Sequence, residues 1–359
     1  MWSLQGCSKL RYAITLVFHT LNKKKRKYKS SQQIMLIAAD HLEVHKETID
    51  RCQDVLQRKS LNWEPVFRND LSQPIRNVDL VVTVGGDGTL LQTSHFMDDS
   101  IPVVGVNSDP TQVEEVEERS DEFDATRSTG YLCAATGENF EQVIDEILEG
   151  QKAPSELCRM SIALNGRVLR ISALNDILVA HPCPATVSRF SFLIKKDGEK
   201  ISSLVNCRSS GLRVCTAAGS TAAMLSAGGF RMPILCHHLQ YKVREPISPR
   251  PVGDHLMHGI VEADQTMETR WYSQEGVVYV DGSHVFSTLQ YGDTIQVSPK
   301  APVLKVFLPL HLISGIKEKP DGENVKAAVA FSALPSGLEP GYKAAASDQG
   351  VVSVTFSSL

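Results

Sequence analysis

Apolar and polar positions give this chain two textures. From Ile34 to about residue 157, short apolar runs alternate with longer segments of helical spacing. Ile34–Ala38 reads as a strand, and His41–Arg58 as an amphipathic helix with Val44, Ile49, Cys52, Val55 and Leu56 inward. Trp63–Phe67 is a second candidate strand. Val78–Val84 is a third, unbroken in apolar or β-branched residues from Leu80 onward and so read as buried. A helical pattern then leads to Ile101–Val106, another buried strand, and Phe140–Leu148 is an amphipathic helix ended by Gly150 and Pro154. Strands alternating with helices at this spacing predict an α/β domain over 34–157, doubly wound around a mostly parallel sheet. In such sheets ligands sit at the carboxyl ends of the strands.

After about residue 158 short β-rich segments follow one another: Ser161–Leu164, Val168–Ile171, Asp176–Ala180, Phe190–Ile194, Gly211–Thr216, Gly276–Val280, Thr294–Val297 and Val303–Leu308. Asn165-Gly166 and Asp197-Gly198 are hairpin-turn dipeptides. The prediction is a largely antiparallel, β-rich C-terminal domain over 158–312. The ends differ from both. Residues 1–33 carry no acid, because the first is Asp40, and they hold the run KKKRK. That leader reads as a transit peptide, a nuclear signal or a disordered solvated tail. Its apolar run, Ala13–Leu21, is too short to span a bilayer. Residues 313–359, rich in Ala, Ser, Gly and Pro, read as a low-order tail.

Charge narrows the partners. With 37 basic and 41 acidic residues, the net charge of -4 offers no electrostatic footprint for nucleic acid. Eight scattered cysteines without a CxxC point to reduced thiols in a reducing compartment rather than to disulfides or zinc. Cytoplasmic placement fits, and the terminal Ser-Ser-Leu, an imperfect match to the Ser-Lys-Leu address, keeps a peroxisomal one open. The acidic stretch Asp109–Arg127 reads as a solvated loop or surface helix.

Three constellations carry chemistry. The strand ending at Val84 runs into Gly85-Gly86-Asp87-Gly88, and Thr89 then opens a helix. Glycines let backbone N–H groups approach a phosphate, and a helix N-terminus adds favourable partial charge. No Gly-Lys-Ser/Thr follows, which excludes a P-loop, and Leu91 stands where a dinucleotide fingerprint needs its third glycine. A carboxylate among phosphates is costly, so Asp87 must either organise a cation or accept a proton. The motif points to a kinase that binds ATP without a P-loop lysine. Second, Asn175-Asp176 places an amide beside a carboxylate at a strand start, a pair suited to an adenine edge and ribose hydroxyls, though also common in turns. Third, Ser209–Gly229 runs from a strand into small residues. There Gly219, Ser220, Thr221, Ala222 and Ala223 would let a flat ligand lie on backbone or a helix pack tightly on a neighbour.

In this order GGDGT, Asn-Asp and G-S-T-A resemble the NAD kinase family from about His41 to Leu308, and most closely its plant NADH kinases. The likeness is carried by stretches such as NSDPTQVEEVEE, RSTGYLCAAT and ALNDILVAHPCPA. It implies transfer of the γ-phosphoryl of ATP, with Mg²⁺, to the 2′-hydroxyl of the adenosine ribose of NADH or NAD⁺, in a homodimer. By the same likeness Asp87 accepts the proton, while Gly85, Gly86, Gly88 and Thr89 contact phosphates. Asn175 and Asp176 would hold the adenosine; Thr216, Ser220, Thr221 and Ala222 would line the dinucleotide site, and Tyr131 would stack on the nucleotide. Ser210 stands where most of the family has aspartate. Loss of that charge removes an attraction for cationic NAD⁺ that neutral NADH never used, and implies a preference for NADH. Rival readings are a lipid kinase of the diacylglycerol or sphingosine type, which also uses GGDGT, and a dinucleotide-binding module without catalysis.

Overall fold

The computed structural model describes residues 13–18, 32–59, 61–67, 70–247 and 256–313. The first half runs through strand β1 (Ala13–Phe18), helix α1 (Gln32–Arg58), β2 (Asn62–Phe67), β3 (Leu80–Gly85) and α2 (Asp87–Ser94). Next come β4 (Val103–Asn107), α3 (Val113–Glu118), β5 (Cys133–Thr136), α4 (Phe140–Leu148) and β6 (Ser155–Leu157). β1 pairs in parallel with β2 and β3, β3 with β4, and β4 with β5.

Every residue of β3 is buried, and its alternation sorts them to two faces. Leu80, Val82 and Val84 pack with Cys52, Leu56, Phe140 and Ile144 from α1 and α4. Val81 faces the other way, into a cluster with Leu90 of α2. Both faces of a parallel sheet are thereby covered, as burying its backbone requires.

The second half is antiparallel. It contains β7 (Ser161–Leu164), β8 (Arg167–Val168), β9 (Asp176–Ala180), β10 (Ser188–Lys196), β11 (Glu199–Lys200), β12 (Val205–Ser209) and β13 (Gly211–Cys215). A 3₁₀ turn at Ala218–Thr221 and helix α5 (Ala223–Ser226) precede β14 (Leu239–Arg244), β15 (His258–Val261), β16 (Gln265–Trp271), β17 (Glu275–Val280), β18 (Val285–Gln290) and β19 (Thr294–Ser298). One sheet has the order β11-β10-β16-β19-β7-β8, with β12 also on β10; the other has the order β15-β14-β13-β9-β17-β18. Residues of both sheets share a single core around Phe190, Trp271, Ile177 and Val214. The hairpin dipeptides behave as their chemistry requires: Asn165, Gly166, Asp197 and Gly198 all have positive φ, near 50°, 78°, 51° and 86°.

Three expectations are corrected. Ala13–Phe18 belongs to the leader that the sequence assigns to disorder, yet it forms a strand inside the parallel sheet; residues 1–12 and 19–31 lie outside the described residues. Ile34–Ala38 is not a strand but part of α1, because five apolar residues in a row have no period to tell the two apart. The last strand, β20 (Leu304–Phe307), followed by α6 (Leu310–Ile313), leaves the β-rich half and pairs with β4 and β6 of the first sheet. A boundary at 157/158 therefore does not divide the chain cleanly. The described residues, 13 to 313, group as one compact unit, and the low-order reading of the tail falls on residues outside the described ones.

Candidate functional site

The carboxyl ends of β3 and β4 open toward the β-rich half. Gly85, at φ +155°, has no room for a side chain: a Cβ there would lie 2.2 Å from Thr89 Oγ1. Thr89 is tucked beneath the turn at 2% exposure, and its N–H donates to Gly86 O at 2.9 Å. Expected as a phosphate contact, Thr89 instead locks the turn from inside. Gly86 is covered by Ser128, whose Oγ would lie 2.4 Å from a Cβ at that position. Of the three glycines only Gly88 is exposed with open space around it, so the turn can be approached from outside there.

Asp87 is the first residue of α2. Its Oδ2 accepts the Tyr131 N–H at 2.8 Å, and its Oδ1 accepts the Leu132 N–H at 2.8 Å. The Cys133 thiol lies 3.8 Å from Oδ1, and burial together with the Asp87 charge pushes that thiol well above its ordinary range. Two backbone donors fix the carboxylate plane, and Oδ2, which accepts only the Tyr131 N–H, keeps a second lone pair for an incoming proton. The loop carrying these donors is shaped by Asn107, whose Nδ2 donates to Ser128 O at 3.2 Å; Gly130, at φ +58°, lets the backbone pass against it.

Tyr131 joins the halves. Its side chain reaches Thr221, and burial raises its pKa. The side chain packs in a cluster that also holds Leu90, Leu174, Ala218 and Ile234. Thus Asp87, Tyr131 and Thr221, distant in sequence, form one neighbourhood. Thr221 also donates to Ala218 O at 3.3 Å, and Ala222 is exposed beside it.

Thr216 and Ser220 take structural parts. Thr216 is fully buried, its hydroxyl engaged with Leu174 O and its N–H with Asn175 O at 3.0 Å. Ser220 Oγ, also fully buried, donates to Ala217 O at 2.7 Å and accepts from Met232 N at 2.9 Å. Neither hydroxyl is free to meet a ligand; what they do is hold the small-residue loop against Asn175. There Gly219 is indispensable, because a Cβ would fall 2.1 Å from Asn175 O.

Asp176 is buried and pairs with Arg213. Burial lifts its carboxyl above the ordinary value; Arg213 pulls the other way, and Asp281 adds to the rise. Ser210 is not brought into this group. It lies beyond the far end of β13, whereas Asp176 pairs with Cys215 at the near end, so roughly 17 Å of extended strand separates the two levels.

Two residues that no local pattern marked organise the site. Asp281, whose side chain is completely buried, accepts the N–H groups of Leu174, Asn175 and Asp176 at 2.8, 2.7 and 3.0 Å. The Asn-Asp turn is folded around this carboxylate. Its only sequence sign was a turn-forming Asp-Gly after β17. The other is Arg159, buried at 2% exposure, whose guanidinium donates to Ser94 O, Met97 O, Pro302 O and Val303 O. It satisfies carbonyls at the C-terminal end of α2, where a cation is favourable. Facing α2 across a cleft of about 360 Å³ is the turn after β17; Gly88, Gln92 and His95 line one side, Asp281, Ser283 and His284 the other.

Among the described residues no group of three or more His, Cys, Asp or Glu is placed to hold a metal ion, and no helix is long and apolar enough to cross a membrane. With no such group among the described residues, Mg²⁺ would have to be held mainly by the phosphates of a nucleotide and by water.

Comparison with known proteins gives one answer. Residues 13–109 match the ATP-NAD kinase N-terminal domain. The "Probable NADH kinase" of Oryza sativa subsp. japonica is 60% identical over 284 residues, covering 79% of this chain and 87% of the relative. The "NADH kinase" of Arabidopsis thaliana is 59% identical over 288 residues, covering 80% and 90%. Among solved structures, yeast NADH kinase complexed with NADH matches with a TM-score of 0.59 at 16% identity, over 88% of this chain and 91% of that one. An NAD kinase from Archaeoglobus fulgidus in complex with ATP matches at 0.57 and 20% identity, over 85% and 96%. These two likenesses establish the fold.

Proposed function

The chain belongs to the NAD kinase family, and from that premise we propose that it transfers the γ-phosphoryl group of ATP to the 2′-hydroxyl of the adenosine ribose of NADH, and of NAD⁺, yielding NADPH and NADP⁺. The observation that carries the residue-level reading is the Asp87–Tyr131–Thr221 neighbourhood, which sets a fixed carboxylate of the GGDG turn against the small-residue loop of the other half. The GGDG turn and the small-residue loop meet through Tyr131 beside one carboxylate.

The mechanism follows from what phosphoryl transfer needs, namely positioning, charge neutralisation and a proton acceptor in reach of the attacking hydroxyl. Polyphosphate enters the cleft beside Gly88, where the helix N-terminus and unobstructed backbone receive it, with Gln92 and His284 as further donors on its walls. Mg²⁺ held on those phosphates would supply neutralisation of their charge. The adenosine of the dinucleotide lies against Asn175, Asp176 and Ala222, and Tyr131 packs alongside. Asp87 then takes the 2′-hydroxyl proton on a free lone pair, while its two backbone hydrogen bonds stabilise the carboxylate until that moment. Kinship with the plant enzymes also supports a homodimer. The cysteines among the described residues are all free thiols, which supports a reducing compartment such as the cytoplasm.

The test is NADPH formation from NADH and MgATP, with Asp87→Asn as control. Turnover in the wild type and its loss in Asp87→Asn, with NADPH binding retained, is the expected result. NADPH binding without turnover in the wild type would favour the non-catalytic module. An active Asp87→Asn would remove Asp87 from the proton-accepting role.

A further inference from the structure

Helix α2 has eight residues, which makes it a rod roughly 12 Å long. Asp87 is its first residue and His95 immediately follows its last. His95 Nε2 lies 2.9 Å from Asp281 Oδ2, and the two side chains are only 4% and 0% exposed. Nδ1 of the same ring is buried without a hydrogen-bond partner, so the bond to Asp281 is the imidazole's single polar attachment. That carboxylate is the one around which the Asn175–Asp176 turn is folded, and the Asp281 N–H returns a bond to Asp176 O at 2.9 Å.

We propose that His95 is a positioning residue for phosphoryl transfer: through Asp281 it keeps the helix that carries Asp87 in register with the turn that carries Asn175 and Asp176. This rests on the kinase reading above and deepens it. Neither His95 nor Asp281 needs to touch the substrates. The bond links the two halves of the site by one short path, from base to helix end, across to Asp281, and back to the acceptor-binding turn. It also fixes the spacing of the cleft, since Gly88, Gln92 and His95 line one wall and Asp281 the other. The parts on either side are anchored independently. Arg159 holds the carbonyls at the end of α2, and three backbone N–H groups remain on Asp281 if the imidazole is removed. Loss of His95 therefore frees the register while leaving each half folded. A misplacement near 1 Å costs about 100-fold in rate in well-oriented reactions.

The experiment compares wild type, His95→Ala and His95→Gln in the full chain. It measures kcat with MgATP and NADH, the Kd for NADH by direct binding, and the melting temperature. For His95→Ala the expected result is a kcat lower by about 100-fold, with Kd for NADH changed by less than about threefold. His95→Gln, whose amide can donate to the same carboxylate, is expected to recover most of the rate. An Ala variant with unchanged kcat overturns the proposal, and so does a Gln variant as impaired as the Ala one. A fall in melting temperature with kcat retained assigns the bond to stability alone. Absence of turnover in the wild type would count against the kinase reading itself, a result separable from any of these.

Discussion

Gly219→Ala gives the sharpest test of how the small-residue loop works. The new Cβ would stand 2.1 Å from Asn175 O, 2.6 Å from its carbonyl carbon and 3.0 Å from its Oδ1. A relaxed C···O contact is about 3.3 Å, so the two backbones must separate by about 1.2 Å. Asn175 cannot simply yield. Its N–H is held by Asp281 at 2.7 Å, and its carbonyl accepts the Thr216 N–H at 3.0 Å. Overpacking of this kind costs about 1–3 kcal/mol, and stretching the buried Thr216 bond adds about 1 kcal/mol or more. A total of about 3 kcal/mol corresponds to a melting temperature lower by about 4–5 °C in a protein of this size. Catalysis should suffer more than stability suggests, because the displaced residue is the one proposed to hold the adenosine; a shift near 1 Å predicts a kcat/KM lower by about 100-fold. Scanning calorimetry and steady-state NADPH formation, the latter well below the lowered midpoint, measure the two effects. A variant melting within about 2 °C of wild type, with kcat/KM within a factor of about two, would refute the claim that Gly219 sets the approach of the loop to Asn175.

Gly88→Ala should separate function from folding in the opposite sense: no atom lies within 4 Å of the added Cβ, and alanine in a first helical turn is neutral to stabilising by up to about 1 kcal/mol. Stability is therefore expected to hold while the KM for ATP rises by about tenfold or more, and an unchanged KM would place the phosphates elsewhere. Ser210→Asp should lower the NADH-to-NAD⁺ ratio of kcat/KM by about tenfold, the share of a charge pair left after desolvation; a ratio that does not move removes the charge argument for NADH preference. His258 is half-buried, and burial, followed by the Lys242 charge, lowers its pKa below the ordinary 6.5. The unfolded chain then takes up that proton first, so its contribution to stability is full above pH 6.5 and declines as pH falls toward the folded value. Melting temperatures measured across that window should fall on acidification in the wild type and fall less in His258→Gln; parallel curves would contradict the assignment.

Local physics made much of this protein legible in its sequence. The unbroken apolar run of β3, the glycines after it and the start of α2 follow from burial on both faces and from the steric needs of a tight turn. The Asn-Gly and Asp-Gly hairpins follow from the positive φ those residues tolerate, and helix α4 occupies the span its periodicity predicts. Strands such as β16, QTMETRW, escaped because their polar residues face outward and their apolar ones alternate too sparsely to form a run. The acidic and amide residues at the site were visible as types, but their tasks were not. Thr89, Thr216 and Ser220 read as site residues, and the fold buries all three, the hydroxyls of Thr216 and Ser220 finding backbone carbonyls as buried polar groups must.

What the sequence determined by itself is the glycine turn between β3 and α2: residues 85 to 89 are adjacent, and their geometry is set by their own backbones. What only the tertiary structure decided is how that turn is aimed. Asp87 is oriented by N–H groups 44 and 45 residues away, and helix α2 is tied to Asp281 across 186 residues. Such bonds leave no period or spacing in the chain, because a carboxylate and its donors need only meet in space; folding brings them together to avoid burying an unpaired charge.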